Sequence, residues 1–423
     1  MPVDGGRCPV RGGSAVPLGG PRFVTDPETL YREMRRDEGP VVPVELPGGV
    51  PAWLVIGYRE VHHVTTEAET FPRDVRLWNQ WENIPDDWPL LPMVGRPLPS
   101  IYFTAGAEHR RHAAMVGPAL EKVDPFALRG TCEEIADALI DAFCHRGRAD
   151  LVPAYANLLP VRVLARLVGF PDAEGARIAE LLTLLADGGP EAQEAQNEFG
   201  AHMGRLLAVK RRTPGDDVAS RMLADPEPFG DEEYVLDLMA VTAAGHLPTA
   251  DWIGNSVRLM LTDARFAASL TGGRHSVAQA MNEVLWEDTP TQILAGRWAA
   301  RDVYLAGRRI RAGDLLLLGL AGANADPLIR QSLPTEGGSG QGGNSAHFSF
   351  SHGEYRCPFP AQEIAEIIAR TGIEVLLDRL PDVGLSVPAD TLVRRPSPFL
   401  RGMTSLPVRF TPVPTAPTPG GPS

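Results

Sequence analysis

The chain has 423 residues, of which 43% are hydrophobic and 22% charged, values typical of a soluble globular protein and not of a fibrous or wholly disordered one. Its formal net charge of −13 argues against a general nucleic-acid binder, which would need cations to neutralise phosphates. Four cysteines are too few for a disulfide scaffold, and none forms a CxxC pair, which argues against a structural zinc site. Without a signal sequence or a long apolar run, we expect a cytoplasmic protein that does not span a membrane.

The first predicted elements are a tail and a small β region. Residues 1–20 are rich in Gly and Pro and predict a loose tail, as do residues 411–423 at the other end, which leaves one domain over 21–410. Residues 40–58 contain two β-rich runs around Pro-Gly-Gly and predict a β-hairpin. A short helix is expected over 59–69.

A long loop and a run of helices follow. Residues 73–104 hold three tryptophans and little periodicity, so they predict a long loop of the kind that often carries function. The simpler alternative is that the aromatic side chains only plug this loop onto the core. From about 107 to 288 apolar residues recur at helical spacing. The segment 232–262 is apolar nearly all round and predicts a central buried helix.

The last third of the chain returns to short elements. Residues 302–320 predict short strands, and the Gly-rich stretch 335–346 predicts a flexible loop. An irregular segment then leads to an amphipathic helix over 360–372. Together these elements predict a mainly α fold with small β-sheets, an α+β protein built as a single large domain.

The most specific chemical signal is the segment Phe350-Ser-His-Gly353-Glu-Tyr-Arg-Cys357-Pro. A cysteine just before a helix gains from the helix macrodipole, which lowers the thiol pKa and favours the thiolate. Gly353 permits a tight loop that brings N–H groups toward the sulfur, and such donors tune a metal-bound thiolate. A lone cysteine is more often a core residue, but the FxxGxxxC spacing before a helix favours a ligand.

With this loop the sequence resembles the cytochrome P-450 family of heme-thiolate proteins, over roughly residues 20–410. The resemblance implies the family's fold, heme b (iron protoporphyrin IX) as cofactor, and Cys357 as the axial ligand of the iron. Such a thiolate assists O–O cleavage. Tyr355, followed by Arg356, stands where the family often has a His that contacts a heme propionate. Phe359 replaces a family Gly.

Two further segments resemble heme-propionate contacts of the family. His109 matches the His of an HxxxR pattern at the start of a helix, while Ala113 stands at the Arg position, so we expect Arg110 or Arg111 to compensate. Arg297 lies where the family places a propionate-binding Arg, and its planar fork suits a carboxylate. The simpler alternatives are a solvated basic face and a surface Arg.

The family's K-helix motif ExxR is replaced here by Glu283-Val-Leu-Trp286. An ExxW variant occurs in an actinobacterial branch of the family, whose operons also encode sensor-kinase and small-GTPase-like proteins. A partner protein from the same operon is therefore one expectation. We predict that Trp286 is buried with its indole N–H satisfied, and that backbone or side-chain donors hold Glu283. The family's following meander Arg is missing, because that region is the Gly-rich stretch.

The predicted long helix carries a segment that resembles the family's oxygen-binding kink, AGx(D/E)T. The resemblance assigns a heme contact to Ala244 and oxygen-binding roles to Gly245, Pro248 and Thr249. Leu247 stands at the acid position and Pro248 at the alcohol position, so neither can relay a proton. Pro248 is expected to open the helix and admit water. The alternative is a Pro-kinked core helix.

The resemblance implies a monooxygenase that oxidises an organic small molecule of secondary metabolism with O2 and with electrons from a ferredoxin and its reductase. Arg110 and Arg111 are candidates for steering the ferredoxin. His246 is expected to be structural or solvent-facing. One alternative is oxidative C–C or C–N coupling without oxygen insertion, and another is a heme-bearing accessory or signalling protein with little turnover. The candidate substrate contacts are Trp81, Met93, Ala240, Leu247 and Ile293.

Overall fold

The fold is mostly helical, with three small β-sheets, as the sequence predicts. The computed structural model of the chain describes residues 15–85, 88, 90–187, 191–263, 266, 275–330 and 345–415. The predicted Gly-rich loop at 335–346 lies almost entirely outside these residues. None of the helices in the described ranges combines the length and the apolar character that crossing a bilayer requires.

The helical part of the described chain contains the elements that we number α1 to α15. They span Pro21–Thr25, Pro27–Glu38, Tyr58–Thr66, Leu91–Val94, Gly106–Glu121, Pro125–Asp141, Leu158–Val168, Asp172–Asp187, Ala192–Arg212, Val218–Leu223, Asp231–Thr262, His275–Glu287, Leu320–Asn324, Pro327–Arg330 and Phe359–Arg379. The short helix predicted over 59–69 is α3. The helix predicted over 360–372 is correct in place but too short, because its apolar spacing and good helix formers continue to Arg379.

Side-chain caps explain where several helices begin. Asp124 accepts a hydrogen bond from the N–H of Phe126 at 2.8 Å at the start of α6, which satisfies one of the free donors of the first turn. Asp217 does the same for Ser220 at the start of α10, also at 2.8 Å. The long helix α11 begins where Glu233 accepts from the N–H of Gly230 at 2.7 Å.

The strands β1 to β10 form sheets of five, three and two strands. They span Val16–Pro17, Val41–Leu46, Val50–Val55, Arg148–Asp150, Leu294–Trp298, Val303–Leu305, Arg308–Ile310, Leu315–Leu318, Gly384–Leu385 and Pro407–Arg409. The large sheet has the order β1-β2-β3-β8-β5. The predicted hairpin is β2 and β3, whose turn places Gly48 and Gly49 at φ of 88° and 77°, the left-handed region that glycine tolerates.

Residues on the outer side of both predicted domain boundaries contact the rest of the fold. Val16 pairs with Val44 in the large sheet, and Leu18 is buried behind it. At the other end, the Thr411 N–H and hydroxyl both donate to the Asp382 carboxylate. Residues 16–18 and Thr411 therefore contact the rest of the fold, while residues 1–14 and 416–423 lie outside the described residues.

The largest hydrophobic core forms between the helices, and a second one lies under the large sheet. The loop predicted over 73–104 is indeed mostly irregular, with only short helical turns and α4. Its Trp78 and Trp88 are buried in the second core with their ring centroids 5.9 Å apart, and Trp78 also contacts Trp298 of β5. These two tryptophans therefore plug the loop onto the sheet.

Candidate active site

The loop around Cys357 is held between two helices. The Cys357 N–H donates to the Phe350 carbonyl at 3.0 Å, and α15 begins two residues after the cysteine. The Phe350 ring meets the ring of Trp252 of α11 edge-on at 5.8 Å. Gly353 has φ +74°, and a Cβ there would lie 1.9 Å from the carbonyl oxygen of Thr65 in α3. Glycine is thus required by both the conformation and the close approach.

The electrostatics of Cys357 differ from the sequence-based expectation. Burial raises the pKa of its thiol to about 12, because desolvation disfavours the thiolate. The proximity of a helix start does not reverse this. A metal ion does, since a coordinating thiol is deprotonated outright. Burial thus favours the neutral thiol of Cys357 in the protein alone, and a cationic partner such as iron would stabilise the thiolate.

Beside this loop lies a cluster that we call the arginine pocket, formed by Arg73, Arg297, Tyr102, Tyr355 and His109. Arg297, on β5, is 2% exposed, and its Cζ lies 4.2 Å from the ring centre of Tyr355. Arg73 is also buried, with its Cζ 3.7 Å from the ring centre of Tyr102. The Nη2 atom of each arginine finds no hydrogen-bond partner among the described residues.

His109 enters the same pocket from α5. Its ring centre lies 4.7 Å from that of Tyr355, and its Nδ1 lies 3.0 Å from the Ile101 carbonyl oxygen, which accepts from a protonated Nδ1. Burial, with a smaller contribution from Arg73, lowers the pKa of His109, so the ring is neutral at pH 7. The Ile101 bond fixes the ring against Tyr355.

The arginine pocket is chemically a seat for carboxylates. Burial, together with the nearby Arg73 charge, lowers the pKa of Arg297 to about 9. Two buried guanidinium groups that repel each other are costly unless anions pair with them. Heme carries two propionates, and arginine binds carboxylates through planar, paired N–H donors. The pocket next to Cys357 therefore fits the two propionates and the iron of a heme.

Several residues expected at the propionates do not join the pocket. Arg110 is exposed and pairs with Glu354 at 3.2 Å, so it does not compensate for Ala113. Arg111 is directed away as well: it pairs with Glu233 at 3.4 Å across the protein surface. Arg356 is exposed although it precedes Cys357.

Sequence reasoning missed two members of the pocket, Arg73 and Tyr102. Arg73 stands in a loop directly after Phe71 and Pro72, and nothing in its spacing links it to Arg297, which lies more than 200 residues further along the chain. Only the folded chain brings them within electrostatic range of each other. The local sequence gives no signal either, because Arg73 is followed directly by Asp74 and then by Arg76.

The long helix α11 continues through Pro248 without a break, so the expected opening does not form. Because proline has no N–H, the Ala244 carbonyl still lacks its helical donor. Ala244 is exposed in the middle of a largely buried helix. Gly245 allows α11 to approach α7, since a Cβ there would lie 3.0 Å from Leu164. Thr249 is buried at the next turn.

His246 was expected to be either structural or solvent-facing. The structure supports the first alternative, because the side chain is buried. It is 1% exposed, and its Nε2 lies 2.9 Å from the Asn157 carbonyl oxygen. Burial lowers the pKa of His246 to about 4, so the ring is neutral. It therefore ties α11 to the start of α7.

The candidate substrate contacts fall in different environments. Ala240 and Leu247 are half-buried on α11, on the same side as Ala244 or close to it. Trp81 is 38% exposed and leans on Trp78, whereas Ile293 is 1% exposed inside the second core, which makes it a core residue. The side chain of Met93 lies outside the described ones.

The segment Glu283–Trp286 lies on α12, and it supports the entry to the cysteine loop. Trp286 is buried, as predicted, and its ring meets the His347 ring edge-on at 5.7 Å. The Leu285 carbonyl accepts from the Ser349 hydroxyl at 2.5 Å and from the Asn324 side chain at 3.0 Å. Aromatic packing and hydrogen bonds thus hold residues 347–349 against α12.

Several known proteins have similar sequences and the same fold, although no family model matches the chain. The vitamin D(3) 25-hydroxylase of Pseudonocardia autotrophica is 30% identical over 92% of this chain and 95% of its own. The mycinamicin IV hydroxylase/epoxidase of Micromonospora griseorubida is 31% identical over 89% and 94%. The structure of CYP154C4 from Streptomyces sp. ATCC 11861 has a TM-score of 0.84 at 26% identity, covering 94% and 98% of the two chains.

The site therefore has two parts: a cysteine that can ligate iron and, beside it, the arginine pocket that can bind carboxylates. In a mainly helical fold, this combination is typical of a heme-thiolate protein. The similarity to these relatives goes further: the chain belongs to the cytochrome P-450 family. It is a heme-dependent oxidoreductase of the monooxygenase class, with the predicted fold and a single domain. Relatives named as hydroxylases and epoxidases lend no support to the alternative of an accessory protein with little turnover.

Proposed function

We propose that this protein is a monooxygenase of secondary metabolism that uses heme b and takes electrons from a ferredoxin and its reductase. Relatives with similar sequences are named for such chemistry: mycinamicin IV hydroxylase/epoxidase, and the polyketide biosynthesis cytochrome P-450 PksS of Bacillus subtilis, which is 26% identical over 93% of this chain. When bound, thiolate-ligated heme activates dioxygen for oxidation of an organic molecule.

The observation that carries the proposal is the pair of unpartnered guanidinium Nη2 atoms beside the Cys357 loop. In this proposal Arg73 and Arg297 bind the heme propionates, Tyr355 and His109 pack beside them, and the Cys357 sulfur ligates the iron. Ala244 presents the opposite face of the site from α11. The arrangement needs no other protein ligand for the metal.

The ferredoxin is proposed to dock on the face that carries the Cys357 loop. Arg110 is 63% exposed on this face, and Arg356 is exposed next to the cysteine. The Arg110–Glu354 pair is a surface ion pair, worth about 0–1 kcal/mol, so an acidic partner can compete for the guanidinium. Complementary charge of this kind mainly raises the association rate.

The direct test is the ferrous–carbonyl spectrum of the heme-loaded protein. The wild type is expected to show the red-shifted Soret band of a thiolate-ligated heme, and Cys357→Ala is expected to lose it completely. Cys132→Ala and Cys144→Ala are matched controls, because both thiols are buried among helices away from the arginine pocket. Retention of the band by Cys357→Ala would refute ligation by this residue.

Oxidative C–C or C–N coupling is a second candidate reaction. It is favoured by one observation: Leu247 and Pro248 cannot relay protons from the positions where the family has an acid and an alcohol. Coupling proceeds from substrate radicals and inserts no oxygen. Product mass separates the two reactions, since hydroxylation adds one oxygen atom and coupling removes two hydrogen atoms.

A further inference from the structure

Helix α11 carries two buried carboxylates on the same side as Ala244. Asp237 lies seven residues before Ala244 and Asp251 seven residues after it. Seven residues bring a helix back to within about 20° of the same direction, so all three residues share one stripe. Asp237 is 0% and Asp251 3% exposed. Buried acids normally have full sets of partners, and the two differ in this respect.

Asp237 is fully paired. Its Oδ1 accepts from the Ile101 N–H at 2.6 Å, and its Oδ2 lies 2.5 Å from the Nδ1 of His112. These bonds explain its place in the fold, where it ties α11 to α5 and to the preceding loop. Along the helix axis it also lies about 16 Å from Pro248.

Asp251 is only half paired. Its Oδ1 lies 3.3 Å from the Nη2 of Arg395, whereas its Oδ2 has no hydrogen-bond partner in the described part of the chain. Gly402 closes over it, since a Cβ there would lie 1.9 Å from Oδ1. An ionised carboxylate is costly to bury when one of its oxygens accepts no hydrogen bond, so burial favours the protonated carboxyl.

The charged surroundings of Asp251 balance its two protonation states. Burial raises the pKa of Asp251 to about 6, and Asp288 at the end of α12 adds to this effect, while Arg395 and Arg394 oppose it. His246, the other titratable group of this stretch of α11, is neutral. A carboxyl of this kind exchanges its proton around pH 6, and Arg395 stabilises the carboxylate that remains once the proton is given up.

Asp251 also lies close to Pro248, the position of α11 that has no backbone N–H to donate. It is four residues after Leu247 and therefore on the same face, one turn further along α11. Pro248, about 4.5 Å away along the axis, leaves the exposed Ala244 carbonyl free to accept a hydrogen bond. A hydrogen-bonded chain between Asp251 and this carbonyl would span about two helical turns.

We propose that Asp251 supplies protons for oxygen activation and replaces, one turn further along the helix, the acid that is missing at Leu247. The proposal rests on the proposed monooxygenase function. The carboxyl O–H bond breaks, and the proton passes toward the reacting oxygen through water that hydrogen-bonds to the free Ala244 carbonyl on the same side of the helix. The carboxylate stays beside Arg395 and takes a new proton from solvent before the next turnover.

The test compares Asp251→Asn with Asp251→Glu and with the matched variant Asp237→Asn. Asparagine keeps an acceptor for Arg395 but cannot give up a proton, and glutamate restores the acid. The probe reaction is dioxygen consumption by the heme-loaded protein with NADPH, a surrogate ferredoxin and its reductase, followed from pH 5 to 8 (about one unit below and two units above the expected transition). The redox partner supplies the electrons but not the protons at the site, and the native substrate is not needed.

We expect Asp251→Asn to react at least tenfold more slowly, within the roughly 10²-fold to 10⁴-fold range of general acids, and to lose the wild-type fall in rate as pH rises through about 6. Asp251→Glu should recover most of the rate, and folded Asp237→Asn should keep the wild-type pH profile. An Asp251→Asn protein with the wild-type rate and profile would overturn the proposal.

A second readout does not depend on heme. A carboxyl whose folded pKa is raised to about 6 lowers stability as pH rises from its unfolded value to 6. The stability of Asp251→Asn relative to the wild type should therefore increase from about pH 4 to 6 and then level off. A stability difference that does not change with pH would refute the raised pKa of Asp251, even if the ferrous–carbonyl band confirms the heme-thiolate site. Absence of that band would refute the proposed function alone.

Discussion

Two regions of this protein bring arginines together below the surface, and they are built in opposite ways. In the arginine pocket, Arg73 and Arg297 lie near each other, and each leaves its Nη2 without a partner among the described residues. At the end of α12, Asp288 binds three arginines in what we call the Asp288 cluster. Its carboxylate lies 3.0 Å from the guanidinium of Arg258, 2.5 Å from that of Arg394 and 2.5 Å from that of Arg401.

The difference separates a structural cluster from a binding site. In the Asp288 cluster the positive neighbours hold the pKa of Asp288 well below its usual range, and the contacts tie the hairpin around residues 394–403 to α11 and α12. Each of the three guanidinium groups thus has a carboxylate partner inside the chain. The arginine pocket has a surplus of positive charge that the described chain does not bond, which is what a bound dicarboxylate would neutralise.

The largest effect is expected from Asp288→Asn, which removes a buried carboxylate from three half-buried guanidinium groups. Removing one partner of a buried ion pair typically costs about 3–5 kcal/mol, and we expect a loss of that size in urea unfolding at pH 7. Asp382→Asn, at a surface carboxylate that binds only Thr411, is the control and should cost less than about 1 kcal/mol.

The same substitution has a defined pH dependence. The folded pKa of Asp288 is depressed, so its stabilisation is complete above the unfolded value near 3.8 and is lost as pH falls toward the lower folded value. The difference between wild type and Asp288→Asn should thus be constant above about pH 5 and shrink below it. Equal stabilities at pH 7 would show that the cluster is not structural.

A somewhat smaller effect is expected from Trp286→Arg, which adds an unmatched arginine to the core. Trp286 is buried against His347, and the substitution loses this packing and buries a charge. We expect a loss of about 3 kcal/mol, read from thermal and urea unfolding. Trp286→Phe, which keeps an aromatic ring, should cost about half as much. Unchanged stability of Trp286→Arg with full heme loading would contradict this account.

Arg297→Gln is expected to act on the cofactor and not on the chain. Without its charge one propionate loses a charge-assisted hydrogen bond, worth about 1.5–3 kcal/mol, so heme should dissociate roughly 10-fold to 100-fold faster. The heme-free protein should be as stable as the wild type or more so, because an uncompensated buried charge is gone. Equal loss of stability in both forms would make Arg297 a structural residue.

Local patterns allowed most of the fold to be predicted from the sequence. The hairpin at Pro-Gly-Gly, the helical run and the cysteine loop each depend on residues close together in the chain. The arginine pocket and the Asp288 cluster do not. Arg394 lies 106 residues from Asp288, so no spacing rule connects them. The predicted propionate contact of Arg110 differs from the structure for a related reason. Sequence spacing places Arg110 next to His109, but it does not show that its side chain lies beside Glu354.

The measurement that tests the central claim most directly compares two forms of the cofactor. The dimethyl ester of iron protoporphyrin IX lacks the charge of the two propionates and carries one added methyl group on each. The dissociation constants of both forms would be measured for the wild type and for the double variant Arg73→Gln/Arg297→Gln. We predict that the wild type prefers the free acid by about 100-fold or more, and that the double variant binds both forms almost equally. The same preference in both proteins would contradict the assignment of the arginine pocket as the carboxylate seat.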